Sequence, residues 1–296
     1  MTATLSAPTT APPTAGPPPV RRARKSPVRW LLLAVAVLVG LLLAAPFLIL
    51  ILNAFKTRAD YSVNGPFAWP QQFTTAAFAK YLADVDFPVA LLNSILISGI
   101  VALVAVVIAL LAAYAIGIGR IRGGTVITAV LLFATMLPQE SIIYPLFYGA
   151  QALGLQGSIW SVIIIFSVLQ AAFGTYLLGS ILGTFEPSLL EAASLDGANR
   201  WQILWRVVFP VMRPTLAVLV IFFFIWTWNE FYIPVVMLTD PTNQTVPIAL
   251  STLQGQLSTD ITEQNAGSLL SLLPTLVFFV IFQRSLTRGI TAGAVK

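Results

Sequence analysis

Residues 183–213 read GTFEPSLLEAASLDGANRWQILWRVVFPVMR, the longest of the internal connections expected on the cytoplasmic side and the only one of them with a helix pattern of its own. Ser188 followed three residues later by Glu191 predicts a capping box, in which each side chain satisfies an otherwise unpaired backbone donor. Pro187 just before it fixes how the chain enters the helix. The helix should then run to about Asp196 and stop at Gly197, a residue that readily takes the left-handed conformation at a helix end. About nine residues make a rod roughly 13 Å long, and its small Ala192 and Ala193 allow another protein surface to come close. After the glycine, Trp201, Leu204, Val207 and Val208 recur at helical spacing beside Arg200 and Arg206. That pattern predicts an amphipathic segment lying on a membrane surface, ended by Pro210. The residues alone leave two readings open: a docking rod for a partner, or an interfacial connector without one.

On either side lie apolar segments at about 30–52, 89–118, 125–147, 159–182, 214–238 and 267–284, each long enough or nearly so to cross a bilayer as a helix. Across the 296 residues 57% are hydrophobic and 9% charged, against roughly 25% charged in a soluble domain. Such a chain cannot hide its apolar surface inside itself. The expected fold is therefore all-α and polytopic, with six transmembrane helices over residues 30–296 and the cytoplasmic loop 183–213 between the fourth and fifth. Prolines 138, 145, 234 and 274 lie in or near these helices and read as kinks. Residues 1–29 contain Pro8, Pro12, Pro13, Pro17, Pro18, Pro19 and Pro27 with few large apolar side chains, the composition of a disordered tail. A tail of that length before the run Trp30–Leu52 suits an uncleaved anchor better than a signal peptide. The chain has no cysteine and no histidine, which removes disulfides, thiolate metal sites and the commonest general base.

Lysine and arginine bias loops toward the cytoplasm. With the N-terminus inside, every basic residue except Lys56, Arg58 and Lys80 falls on the cytoplasmic side, from Arg21, Arg22, Arg24, Lys25 and Arg29 through Arg120, Arg122, Arg200, Arg206 and Arg213 to Arg284, Arg288 and Lys296. Asp60, Asp84, Asp86, Asp240, Asp260 and Glu263 fall outside. Both termini are thus expected in the cytoplasm. The net charge of +5 reports this orientation in lipid and gives no reason to expect a nucleic-acid partner. No internal repeat is evident, so a carrier built from two matching halves in one chain is not supported.

The order Glu191, Ala192, Ala193, then Gly197, then Val207, Phe209 and Pro210 resembles the EAA motif of binding-protein-dependent ABC importer permeases, with Val207 and Phe209 standing where isoleucine and leucine are usual. WNEF at Trp228–Phe231 and the ending QRSLTRGITAGAVK at Gln283–Lys296 resemble the MalG-like permease subunits of carbohydrate-uptake systems. The resemblance covers nearly everything from about residue 30 onward and implies the type I importer permease fold in a bacterial plasma membrane. It implies that Glu191, Ala192, Ala193 and Gly197 form a coupling helix that docks on one of two ATPase subunits, with Asp196 and Pro210 part of the same ATPase-coupling motif. It also implies a second, MalF-like permease, an extracytoplasmic solute-binding protein docking on the outer loops 53–88 and 239–266, and alternating access driven by ATPase closure. The chain lacks a GxxxxGK[ST] loop, so ATP and Mg are expected on the partner ATPase and no cofactor on this chain.

Glu140 and Glu230 are read as acids within the membrane, where an ionisable group costs a few kcal/mol unless it faces protein or water. With Gln139, Trp226 and Asn229 they are candidates for a polar translocation pathway. Against that stands a plainer reading, in which Glu230 satisfies helix contacts and Trp226, Trp228 and Tyr232 form an aromatic belt. Other classes weighed are import of a glycerol phosphodiester or polyol, an ion-coupled carrier acting alone, and a membrane enzyme using Glu140 and Glu230 as an acid and base.

Overall fold

The computed structural model describes residues 27–119, 121–253 and 260–294, leaving aside the side chains of Pro27, Arg29 and 284–294. Residues 1–26 of the expected disordered tail, Arg120, residues 254–259 and Lys296 lie outside the described residues, whereas the last three residues of the expected tail, 27–29, are already helical. Up to Phe47 the chain forms one unit and Leu48–Lys296 a second. Helix α1, Pro27–Ala54, carries exposed Leu31, Leu38 and Leu42 along its first half, as suits a helix in lipid.

The second unit begins with two short helices, α2 (Arg58–Asn64) and α3 (Ala76–Asp84), before the long α4 (Phe87–Gly117). Next come α5 (Gly124–Thr135), α6 (Gln139–Ala152), α7 (Ile159–Leu182) and α8 (Pro187–Leu195). A single turn, α9 (Arg200–Ile203), passes through a π turn at Leu204–Val208 into α10 (Phe209–Asn229). The chain ends with α11 (Tyr232–Met237), α12 (Val246–Ser251) and α13 (Ile261–Ala294). No strand occurs among the described residues. Five stretches are long and apolar enough to cross a membrane, and α5 with α6, bent by 100°, makes up to a sixth.

That bend corrects the expected single crossing at 125–147, in which Pro138 reads as a kink and not a break. Pro138 has no N–H to continue the helix and pushes Leu137 toward extended backbone, so α5 stops at Thr135 and α6 restarts at Gln139. Twelve residues of α5 span only ~18 Å, short of a hydrocarbon core of about 30 Å. The crossing expected at 214–238 is likewise broken. Its helix ends at Asn229, Glu230 is extended (φ −71°, ψ 134°), and α11 is separate. A continuous helix would set the Pro234 ring against the carbonyl of Glu230.

At its start, that same crossing reaches back to Arg200. Pro210 does not end the segment, because the π turn donates the Phe209 N–H to Leu204 O and opens the turn before the proline. The expected surface segment is also packed: Ile203, Leu204 and Val208 are buried in a cluster with α4, α7 and α10, while Trp201 stays exposed. α13 begins earlier than the expected 267, where Asp260 Oδ1 accepts from the N–H groups of Thr262 (3.1 Å) and Glu263 (3.4 Å).

The core lies where α4, α7 and α10 meet. Ala102, Ala105, Ala109 and Ala113 form a small-residue stripe on α4, and on α7 a Cβ added at Gly174 would lie 2.8 Å from Ala109 Cβ and 3.1 Å from the Phe223 ring. Small residues let helices approach this closely without a hydrophobic driving force. A second cluster joins Ile97 and Val101 of α4, Ile143 of α6, Phe166 of α7, Ile233 and Met237 of α11 and Ile248 of α12. The polar segments beyond α4 are folded as well. Lys56 is fully buried and donates to Gly65 O (2.9 Å), and Asn93 donates to Thr242 O (2.9 Å) and Gln244 O (3.1 Å). Lys80 of α3 pairs with buried Glu263 of α13, with Asp260 3.5 Å away.

Candidate functional site

Two places gather the residues singled out from the sequence. The first is α8. The expected capping box at Ser188 and Glu191 is absent; Glu186 takes the cap position and Ser188 Oγ donates to its carboxylate (3.2 Å). Pro187 explains the shift, since its fixed φ is pre-organised for the first helical position and places Ser188 inside the helix. A capping box does form one helix later, where Asn199 Oδ1 accepts from Gln202 N (2.9 Å) and Gln202 Oε1 accepts from Asn199 N (2.9 Å). The N-x-x-Q spacing was the signal for it.

The end of α8 is fixed by its backbone. Gly197 takes φ +80°, and the N–H groups of Gly197 and Ala198 return to Ser194 O (3.1 Å) and Ala193 O (3.0 Å). Leu190 and Ala193 pack on the main cluster. On the other side Glu191, Ala192, Asp196 and Gly197 are exposed, beside Leu195, which is 89% exposed. Tyr114 Oη of α4 donates to Arg200 O (2.9 Å), tying the start of α9 to the helical body. α8 is thus a rod held from behind with a free face of small, acidic and apolar side chains. Pro210 stands apart from it, in the first turn of α10.

The second place is where the two broken helices meet. Glu230 Oε1 accepts from Trp226 Nε1 (3.0 Å) and from Gln139 Nε2 (3.2 Å). The residue just after one helix break therefore holds the residue just after the other. Glu140, next to Gln139, turns outward and is exposed. Asn229 donates to Ile225 O on its own helix (2.7 Å) and does not join the cluster.

A cavity of about 460 Å³ between α4, α5, α6 and α7 is lined by Gln139 and Trp226 together with Gln170. Gln170 was not singled out from the sequence, although an amide in the middle of an apolar span is a costly choice. It is 1% exposed, donates Nε2 to Thr227 Oγ1 (2.8 Å), and its Oε1 has no partner. The lining offers amide and indole groups and the Thr135 and Thr175 side chains in an otherwise apolar wall. It contains the groups to hydrogen-bond a neutral polar solute but no nucleophile activated by a neighbouring base. Among the described residues no cluster of three acidic side chains is placed to hold a metal ion.

Residues 105–290 match a family model described as binding-protein-dependent transport system inner membrane component. A putative ABC transporter permease protein of Streptomyces antibioticus is 31% identical over 227 residues, covering 77% of this chain and 99% of the relative. The trehalose/maltose transport system permease protein MalG of Thermococcus litoralis is 29% identical over 272 residues, covering 90% and 97%. A probable starch degradation products transport system permease protein, AmyC of Thermoanaerobacterium thermosulfurigenes, is 25% identical over 274 residues, covering 90% and 97%. Among solved structures, a chain of a bacterial ABC transporter involved in import of alginate superposes with a TM-score of 0.76 at 23% identity, covering 88% of this chain and 98% of that one.

Proposed function

Because this chain belongs to the family of binding-protein-dependent transport system inner membrane components, we propose that it is the permease subunit of an ATP-driven importer of saccharides. The saccharide rests on its relatives, among them permeases named for trehalose and maltose and for starch degradation products. In this reading a MalF-like sibling completes the pathway and two ATPase subunits, holding ATP and Mg, lie on the cytoplasmic side with both termini. An extracytoplasmic binding protein delivers solute to the outer loops.

The observation that carries the coupling is α8: a short rod, anchored through Leu190 and Ala193, whose Glu191, Ala192, Asp196 and Gly197 are exposed among the described residues. It is followed directly by the helix that runs from Arg200 to Asn229. A push on α8 by closing ATPase subunits would therefore tilt a membrane-spanning element that ends at Glu230, a rigid-body switch biased by a partner. The polar cluster of Gln139, Trp226 and Glu230, with Glu140 and Gln170 beside it, is the part of the pathway this subunit supplies.

The test is co-purification of the native chain, Gly197→Asp and Glu191→Lys from membranes, with uptake measured alongside. The native chain should bring an ATPase and a second permease. Both variants should reach the membrane, lose the ATPase and transport nothing. Normal uptake by both variants would remove α8 from the mechanism.

A further inference from the structure

Both outer segments, 53–88 and 239–266, contribute to one polar pocket of about 250 Å³. Its lining includes Arg58 at the start of α2, Lys80 and Asp84 of α3, Thr252 just after α12, and Asp260 and Glu263 at the start of α13. The charges in it do not cancel. Lys80 donates to Glu263 Oε2 and has Asp260 3.5 Å away, so a single ammonium serves two carboxylates. Asp84 and Arg58 are exposed, and neither has an ion pair among the described residues. Three carboxylates against two cations leave one negative charge in excess. The remaining Glu263 oxygen, Oε1, has no hydrogen-bond partner although the residue is only 4% exposed. That atom has lost water without gaining a donor, a state that buried polar groups seldom keep.

The missing group must supply an N–H or O–H and a positive charge. A hydroxyl would donate to Oε1 and leave the charge excess in place. A metal ion would be opposed by the Lys80 ammonium, and no group of three acidic side chains among the described residues is placed to hold one. A basic side chain meets both needs, and an arginine fork reaches two acceptors at once. The outer segments of this chain have none to spare. Lys56, Arg58 and Lys80 are their only basic residues; Lys56 is fully buried on Gly65 O, and the other two are already in the pocket.

We propose that this pocket receives a basic side chain of the extracytoplasmic binding protein, which bonds Glu263 Oε1 and pairs with Asp84. The site rests on the importer reading above, which places both segments outside, and it adds a point of contact and a sign of charge to that reading.

The experiment uses the complete transporter in lipid nanodiscs with the binding protein that supports its uptake, and reads their dissociation constant over a range of salt concentrations. Asp84→Asn should weaken binding about two- to fivefold and flatten its salt dependence, as for an exposed charge at an interface. Glu263→Gln should weaken it about tenfold, chiefly through faster dissociation. Arg58→Gln removes a cation that opposes the incoming one and should tighten binding about twofold, a gain that a merely structural role would not produce. Should Glu263→Gln undock α3, seen as lost protection of its amides, Asp84→Asn and Arg58→Gln decide the matter. If the native transporter binds its partner and Asp84→Asn and Glu263→Gln bind it equally well, the pocket holds only water and the proposal falls, while the importer reading stands. Weaker binding by Arg58→Gln would give the partner the opposite charge and overturn the proposal. Loss of the second permease from the Asp84 or Glu263 variant would make the pocket a contact between permeases and overturn it too. If the native transporter binds no binding protein, the importer reading falls and the site with it.

Discussion

At Glu230 one carboxylate oxygen accepts both the Trp226 indole N–H and the Gln139 amide. Glu230→Ala should therefore destabilise the chain by about 1–3 kcal/mol, because two partly buried donors lose their acceptor. Glu230→Gln keeps an oxygen in place and should cost less. Thermal unfolding of the purified protein in detergent would rank them, and equal melting temperatures for the alanine variant and the native chain would contradict the clasp. WNEF was visible in the sequence, and so was the cost of an acid at that depth. Its partner was not: Gln139 lies 91 positions away, and only packing brings the two breaks to one level.

Among the elements, α4, α7 and α10 hold the body together through close approach, and Gly174 is the narrowest point. A side chain there must push Ala109 and the Phe223 ring aside. Gly174→Val should cost about 1–3 kcal/mol through overpacking and lower the melting temperature. Paired with Ala109→Gly it should recover part of the loss, whereas no recovery would place the strain elsewhere. The long spans were legible from their apolar runs, since length and composition suffice for a lipid-embedded helix. Their breaks were less so. Pro138 and Pro234 were seen as kinks, yet a kink and a full break carry the same residue signature, and neighbouring packing decides between them. The π turn before Pro210 left no sequence signal beyond the proline itself.

For the molecule as a whole, α3 is pinned to the start of α13 by the link from Lys80 to Glu263 and Asp260. The hydrogen bond to Glu263 raises the Lys80 ammonium above the usual lysine value of 10.5. Its contribution is therefore complete below that value and is lost as pH rises through the raised one. Burial pushes Asp260 upward, but the Thr262 hydroxyl, the Glu263 N–H and Lys80 together outweigh it and hold the carboxyl below the usual 3.8. That contribution is present above the usual value and is lost as pH falls through the lowered one. Between about pH 5 and 9 the docking of α3 on α13 should not change. Protection factors of the α3 amides in hydrogen exchange would check this, with a marked fall inside that window counting against the link. Lys80→Met should lower protection throughout that window, because it leaves the Glu263 carboxylate buried without its cation.

The amino-acid sequence by itself determined that the chain lives in a bilayer, that its apolar runs alternate with polar connections of opposite charge bias, and that a short helix stopped by Gly197 lies outside the spans. These follow from local quantities: transfer of apolar side chains, the backbone limits of proline and glycine, and charge near helix ends. That Glu191, Ala192, Ala193 and Gly197 make up a motif came from the family resemblance and not from these local quantities. Only the tertiary structure decided that Gln139 meets Glu230, that Glu140 turns away from both, that Asn229 bonds its own helix, and that Gln170 lies buried on Thr227. Such pairings depend on the depth at which each helix breaks and on the rotation of each helix about its axis. Both are set by packing among distant segments, which no local pattern contains.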